Sequence, residues 1–280
     1  MENLGYYNGK FGPLEEMTVP MNDRAGYFGD GIYDASTAYN HVIYQLDEHL
    51  DRFYNNAALV RIKAPMSKSE LKAELVRMVE KVDSREQFVY WQLSRGAAIR
   101  DHKFPEGVDG NIWIMLKPHK MESIYRKIRL ITLEDTRFFH CNIKTLNLLP
   151  AVMASQKAAE AGVHETVLHR GDRVTECAHS NVSILKDGIF KTAPADNLIL
   201  PGVARAHLIK ACKENNIPVD ESPYTLKDLF AADEVIVSSS STFGLAATHI
   251  DGKAVGGKAP ELLKIIQDAV MREFWEYTKL

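Results

Sequence analysis

Cysteine is scarce in this sequence: there are three in 280 residues, Cys141, Cys177 and Cys212, far apart and without a C-x-x-C pair. That argues against both a disulfide framework and a zinc site and fits a reducing, cytoplasmic setting. Charge of one sign is also missing. With 34 basic and 37 acidic residues interspersed, the formal net charge is −3, so no field spans the surface to attract a nucleic-acid backbone or an anionic membrane. Nowhere do about eighteen apolar residues follow one another, as a membrane-crossing helix would need. The opening Met1-Glu2-Asn3-Leu4-Gly5 has no basic stretch ahead of an apolar one, so no export signal is expected. What is present is 45% hydrophobic and 25% charged content over a length sufficient for two compact domains. This is the balance of a globular protein whose partners are small molecules.

Turn chemistry and periodicity then divide the chain. Asn8-Gly9 and Asn40-His41 lie between apolar runs and predict hairpins of a small antiparallel sheet. Leu50, Phe53, Ala57 and Val60 recur at helical spacing, and Ser67 with Glu70 forms a capping box ahead of Leu71, Leu75, Met78 and Val82. Phe88 to Leu93 and Ile112 to Leu116, rich in aromatic and β-branched residues, read as strands of the same block. Lys117 to Arg126, with Pro118 and little periodicity, reads as a linker. The expected division is therefore a small N-terminal domain over 1–120 and a larger one over 121–280.

In the second block a strand from Ile128 to Leu133 precedes a helix from about Leu148 to Ala161, which Gly162 stops. Strands at Glu165 to His169, Asn181 to Lys186 and Ile189 to Thr192 are separated by Arg170-Gly171-Asp172 and Asp187-Gly188. A helix from Ala204 to Asn215, a strand from Glu234 to Ser238 and a closing helix from Glu261 to Tyr277 follow. The fold class is α+β, with a largely hairpin-built, mainly antiparallel sheet in the larger domain.

Three segments carry chemistry. Lys144 sits in Cys141-Asn142-Ile143-Lys144-Thr145-Leu146-Asn147-Leu148-Leu149, between a strand and a helix. An ammonium ion is costly among Leu and Ile, and a neutral amine is what condenses with an aldehyde. A lysine snorkelling to the surface is the other reading. Glu176, in a run of small residues leading into a strand, either wants a cation such as a protonated pyridine nitrogen or sits at a strand edge in solvent. Leu200-Pro201-Gly202-Val203-Ala204-Arg205 places a glycine turn before a helix, and Ser238 to Thr242 supplies hydroxyls. Both suit phosphate, and both are also ordinary turn chemistry.

Taken together, FGDGIYD (Phe28 to Asp34), EHLDRFY (Glu48 to Tyr54), IKTLNLL (Ile143 to Leu149), VTECAHSN (Val174 to Asn181), ILPGVAR (Ile199 to Arg205) and VIVSSSST (Val235 to Thr242) resemble the fold type IV pyridoxal-phosphate enzymes in order and spacing, over nearly the whole chain. That family includes D-amino-acid and branched-chain aminotransferases and aminodeoxychorismate lyases. The resemblance implies pyridoxal 5'-phosphate as cofactor, with Lys144 carrying it and shuttling the substrate proton and Glu176 on the pyridine nitrogen. It places Arg52, at the start of its helix, together with Val203, Ala204, Ser240 and Ser241, on the phosphate. Without the surrounding motifs Arg52 would read as a partner of Glu48 on an exposed helix face.

RGAAIRDHKF (Arg95 to Phe104) is similar to the loop of D-amino-acid aminotransferases whose Arg-x-His pair captures the substrate carboxylate. The resemblance gives that role to Arg100 and His102, assisted by Tyr33, and a solvated basic loop is the alternative. It also implies a homodimer, because in relatives this loop reaches the neighbouring subunit. The expected reaction is transfer of an amino group from a D-amino acid to a 2-oxo acid. Its rivals are a branched-chain or amine transaminase, an aminodeoxychorismate lyase, and a catalytically silent binding protein. Two departures from the family stand out. Cys177-Ala178-His179 and Ala204 occupy positions where many D-aminotransferases have hydroxyls, which implies a less firmly held phosphate. His179 either replaces a lost donor or points to solvent.

Overall fold

The computed structural model describes residues 2–279, and the chain divides into two compact units. The first takes the chain through Met121, the short segment Ile143–Asn147, and the chain's end from Tyr277. The second takes Glu122–Asn142 and Leu148–Glu276.

The first unit holds β1 (Leu4–Tyr7), β2 (Lys10–Pro13), α1 (Arg24–Phe28), β3 (Gly31–Tyr39), β4 (Val42–Ile43), α2 (Leu46–Leu59), α3 (Lys68–Val79), β5 (Glu86–Ser94) and β6 (Asn111–Pro118). Its sheet runs β2-β1-β6-β5-β3-β4, with every neighbouring pair antiparallel. Asn8 and Gly9 have φ of +45° and +91°, and Asn40 and His41 +49° and +63°, the paired left-handed conformations of a tight hairpin turn. The Ser67 hydroxyl and Glu70 close the predicted capping box of α3. Leu50 and Phe53 of α2 and Trp91 of β5 are fully buried in one core, with Phe53 edge-on to Trp91 at 6.3 Å. Burying side chains of this size contributes about 1.5 to 3 kcal/mol each. Arg52 lies half-way along α2, not at its start.

Residues 143–147 lie beside the beginning of β3. Thr145 bridges Ile32, Leu146 N–H donates to the Gly31 carbonyl at 3.0 Å, and Tyr33 N–H donates to the Lys144 carbonyl at 2.9 Å. Gly31 permits this approach, since a Cβ there would stand 2.5 Å from the Leu93 carbonyl oxygen and 2.7 Å from Leu146 Cδ1. The position of Lys144 thus follows from a glycine more than a hundred residues earlier in the chain.

The second unit holds β7 (Lys127–Glu134), α4 (Leu149–Glu160), β8 (Glu165–Arg170), β9 (Arg173–Cys177), β10 (Asn181–Lys186), β11 (Ile189–Thr192), α5 (Val203–Glu214), β12 (Val219–Asp220), α6 (Leu226–Ala231), β13 (Glu234–Ser238), β14 (Leu245–Ile250), β15 (Lys253–Ala254) and α7 (Pro260–Tyr277). Its sheet runs β12-β11-β10-β13-β14-β7-β8-β9, with β15 on β14. The sheet is mainly antiparallel, as expected, with three parallel neighbour pairs: β11 with β12, β14 with β7, and β7 with β8. Parallel neighbours need a crossover, and α4 supplies it between β7 and β8. Strand β9 was not foreseen. Val174 through Cys177 are buried on both faces, so no polar–apolar alternation exists to be read. Among the described residues no helix is long and apolar enough to cross a membrane.

Candidate active site

In the first unit the chemistry gathers along β3 and α2. Along β3 the side chains alternate, so Ile32 and Asp34 point into the core while Tyr33 is half-buried on the opposite face. The Lys144 ammonium stands 4.2 Å from the centre of the Tyr33 ring, and that ring stacks on Tyr90 at 5.5 Å. An aromatic face attracts a cation at this range, and it is this ring that Lys144 meets. Leu148 and Leu149, which made its surroundings look apolar in the sequence, are exposed.

On the inner face the fully buried Asp34 carboxylate accepts two charged hydrogen bonds from Arg52, Nε at 2.9 Å and Nη2 at 2.7 Å, and stands 2.8 Å from His49 Nδ1. Burial alone would raise the Asp34 pKa, but Arg52 and His49 more than reverse it and hold the carboxyl well below its usual range. An ionised carboxylate only accepts, so Nδ1 of His49 carries the hydrogen. Burial pushes the His49 pKa down; Asp34 opposes this, while Arg52 and Lys144 reinforce it. Asp34 and Arg52 stand eighteen residues apart in sequence, and two hydrogen bonds to Asp34 orient the guanidinium.

The loop after β5 carries Arg100 and His102, both exposed. The Arg100 guanidinium lies 5.0 Å from the centre of the Phe28 ring, and the His102 ring is 5.1 Å from it.

In the second unit Glu176, on β9, is buried. Its Oε1 accepts from Arg137 Nη1, and its Oε2 accepts from Asn181 Nδ2 at 2.9 Å and from Leu200 N–H at 3.0 Å. Arg137 in turn grips Asp135 through Nε and Nη2, both at 2.9 Å. Burial alone would lower the Arg137 pKa, but Asp135 and Glu176 raise it well above the ordinary value. The sequence reading gave Glu176 a cation and missed Arg137. The only signal for it was a carboxylate and a guanidinium two residues apart at the end of a strand.

Helix α5 begins at Val203 with Gly202 as its N-cap and no side-chain cap. Backbone N–H groups at a helix start lack intrahelical partners and suit an anion. Val203 is buried and Ala204 half-buried at that start. Ser240 and Ser241 lie in the turn after β13, where the Ser239 hydroxyl is 3.2 Å from that of Ser241 and 2.9 Å from that of Thr242. This donor set, neutral and rich in N–H and O–H groups, fits a phosphate. His179 is largely exposed and its Nδ1 lies 2.8 Å from the buried Glu165 carboxylate. Ala178 packs in a small cluster with Ala154 and Leu168.

A family model described as amino-transferase class IV matches residues 31–250. A D-alanine aminotransferase of Listeria monocytogenes is 40% identical over 90% of this chain and 90% of its own length, and one of Bacillus licheniformis is 35% identical over 97% of each. Among solved structures, a branched-chain amino acid aminotransferase of Escherichia coli superposes with a TM-score of 0.90 at 22% identity, covering 100% of this chain and 97% of that one.

Proposed function

The chain belongs to the class IV aminotransferase family, and from that membership we propose that it transfers the amino group of a D-amino acid, of the D-alanine type, to a 2-oxo acid, with pyridoxal 5'-phosphate as cofactor. The observation that carries the D-specific reading is the Arg100–His102 pair set on one ring, Phe28, in a chain whose relatives are named D-alanine aminotransferases. Guanidinium offers two parallel donors to a carboxylate and imidazole adds a third.

The cofactor, when bound, supplies an electron sink that makes the substrate Cα hydrogen acidic. Lys144 Nζ would hold the cofactor and, once released from it by the incoming substrate amine, would move the proton at the substrate Cα. Glu176 offers its carboxylate to the pyridine nitrogen. Arg52, the N–H groups of Val203 and Ala204, and Ser240 and Ser241 hold the phosphate. In the dimer Tyr33 holds the substrate carboxylate together with the Arg100–His102 loop that the neighbouring subunit contributes, and together they decide which Cα hydrogen Lys144 meets.

Two further parts of the reading concern setting. The three cysteines are free and buried, which supports a reducing, cytoplasmic environment. Leu149, Val152 and Met153 are 71%, 60% and 62% exposed on α4, an apolar face that supports a homodimer. Sedimentation of the purified protein as a monomer at micromolar concentration would overturn the dimer.

The test of the reaction is single-turnover loss of the visible absorption of the loaded enzyme on adding D- or L-alanine, with pyruvate released. D-Alanine is expected to react and L-alanine to react poorly. Faster reaction with L-alanine would move the enzyme to another branch of the family.

A further inference from the structure

The loop that presents Arg100 and His102 is tied back to its own unit by backbone and side-chain contacts, several of them to Asn22 and Arg24. Gly96 accepts from Arg24 N–H at 3.0 Å, and Ala98 N–H donates to the Asn22 carbonyl at 3.1 Å. Arg24 Nη1 donates to the Asp101 carbonyl at 2.6 Å, on the residue between Arg100 and His102. At the far end the Phe104 ring lies 3.6 Å under the Arg95 guanidinium. Arg24 and Arg95 share one carboxylate, Asp30, at 2.8 and 2.9 Å. Arg95 also donates to the Arg61 and Val60 carbonyls, both at 2.9 Å.

Within that frame the Phe28 ring has Arg24 at 4.8 Å, Arg100 at 5.0 Å and His102 at 5.1 Å. A solvated loop carrying two cationic or polar side chains has no reason to place both on one ring. Asp30, shared between Arg24 and Arg95, offsets part of the charge that Arg24 brings to the ring and so eases the approach of a second guanidinium.

We propose that Phe28 is a specificity-determining positioning residue: its ring is the shelf on which Arg100 and His102 are held as a pair, while Arg24 pins the backbone between them. The inference rests on the reading that this pair takes the substrate carboxylate. Pre-organising the pair reduces the ordering cost charged to substrate binding, so the shelf acts on substrate affinity and leaves the chemical step alone.

The experiment uses the cofactor-loaded enzyme with Phe28→Leu, which keeps apolar bulk and removes the π face, and Phe28→Tyr, which keeps the face. Phe28→Leu should raise KM for D-alanine about three- to tenfold with little change in kcat. Hydrogen exchange over residues 99–104 should quicken, and cofactor absorbance should stay as in the parent. Phe28→Tyr should restore both readouts. In an Arg100→Ala, His102→Ala background the Phe28→Leu effect on KM should disappear, because the pair it positions is gone. Unchanged loop exchange in Phe28→Leu overturns the shelf. Quickened exchange with unchanged KM overturns the positioning role; if Arg100→Ala also leaves KM unchanged, the reading of the loop fails with it, and if Arg100→Ala raises KM that reading stands.

Discussion

Arg137 joins the Glu176 carboxylate to that of Asp135, so two buried acids, one on β9 and one just past the end of β7, share one guanidinium. The acids are not equally dependent on it. Asp135 is also met by Arg170 Nε at 3.2 Å and the Thr175 hydroxyl at 3.1 Å, and its side chain is 0% exposed. Burial raises its pKa, and Arg137 and Arg170 together bring it below the ordinary value. Glu176 keeps neutral donors from Asn181 and Leu200 when its charge is removed. Asp135→Asn should therefore destabilise the protein by about 3 to 5 kcal/mol, whereas Glu176→Gln should cost on the order of 1 to 3 kcal/mol. Activity should show the reverse order, with Glu176→Gln the more damaging. Urea unfolding of both variants alongside turnover checks this, and equal ranking in the two measurements would count against it.

Much of this site was legible because it is local. The hairpin turns at Asn8-Gly9 and Asn40-His41 and the capping box at Ser67 declare themselves within four residues, and all form as expected. The glycine before α5 belongs to the same class. What could not be read are the long-range pairings. Asp34 with Arg52 and Arg137 with Glu176 are brought together by sheet and helix packing, and nothing within a turn's length of either residue encodes its partner. The buried strand β9 escaped for the related reason that a segment covered on both faces has no alternation.

Asp34 makes the first unit sensitive to acid. Its folded-state pKa lies well below the ordinary 3.8, with burial opposing and Arg52 and His49 producing the shift. A depressed carboxylate contributes stability that is present above the unfolded pKa and lost as pH falls through the folded one. Asp34→Asn should lower the thermal midpoint at about pH 6, by the equivalent of about 3 to 5 kcal/mol, and should flatten the fall in midpoint below about pH 4. Parallel curves for parent and variant would show that Asp34 is not a source of the acid sensitivity.

Lys144 is expected to be the lysine that reduction traps on the cofactor. It stands over the Tyr33 ring on a segment bridged to β3. Borohydride treatment followed by peptide mapping should label the peptide containing Lys144, and Lys144→Ala should lose both label and turnover. A label on any other lysine removes the central residue of the proposed function.

The two alanines that replace hydroxyls in this chain should behave differently. Ala204 is half-buried in the first turn of α5, whereas Ala178 packs against Ala154 and Leu168. Ala204→Thr adds a donor where the phosphate is proposed to lie, and a hydrogen bond to a charged group is worth about 1.5 to 3 kcal/mol. Cofactor should bind roughly ten- to a hundredfold tighter. Ala178→Ser places a hydroxyl in an apolar cluster and should reduce stability without that gain. Titration of both apo variants with cofactor decides, and tightening by Ala178→Ser alone would reverse the assignment.

Gly202 lies tight against the Asn181 side chain in the second unit. A Cβ built on Gly202 would stand 2.0 Å from Asn181 Oδ1, while the backbone there, at φ −69° and ψ 136°, is one that alanine adopts freely. The cost of Gly202→Ala is thus steric and falls on a side chain. Asn181 cannot give way without loss, because its Nδ2 donates both to Glu176 Oε2 at 2.9 Å and to the Leu200 carbonyl at 3.0 Å. Displacing it frees one oxygen of the Glu176 carboxylate, so Gly202→Ala should cost about 1 to 3 kcal/mol in stability. It should also lower activity by disturbing a residue it does not touch. Asn181→Ala removes the obstacle together with the hydrogen bonds. In that background adding Gly202→Ala should cost little more, and the double variant should be clearly more stable than the sum of the two single losses predicts. Urea denaturation of the four proteins measures the coupling directly. Additive losses would mean that Gly202 is required for some reason other than its contact with Asn181.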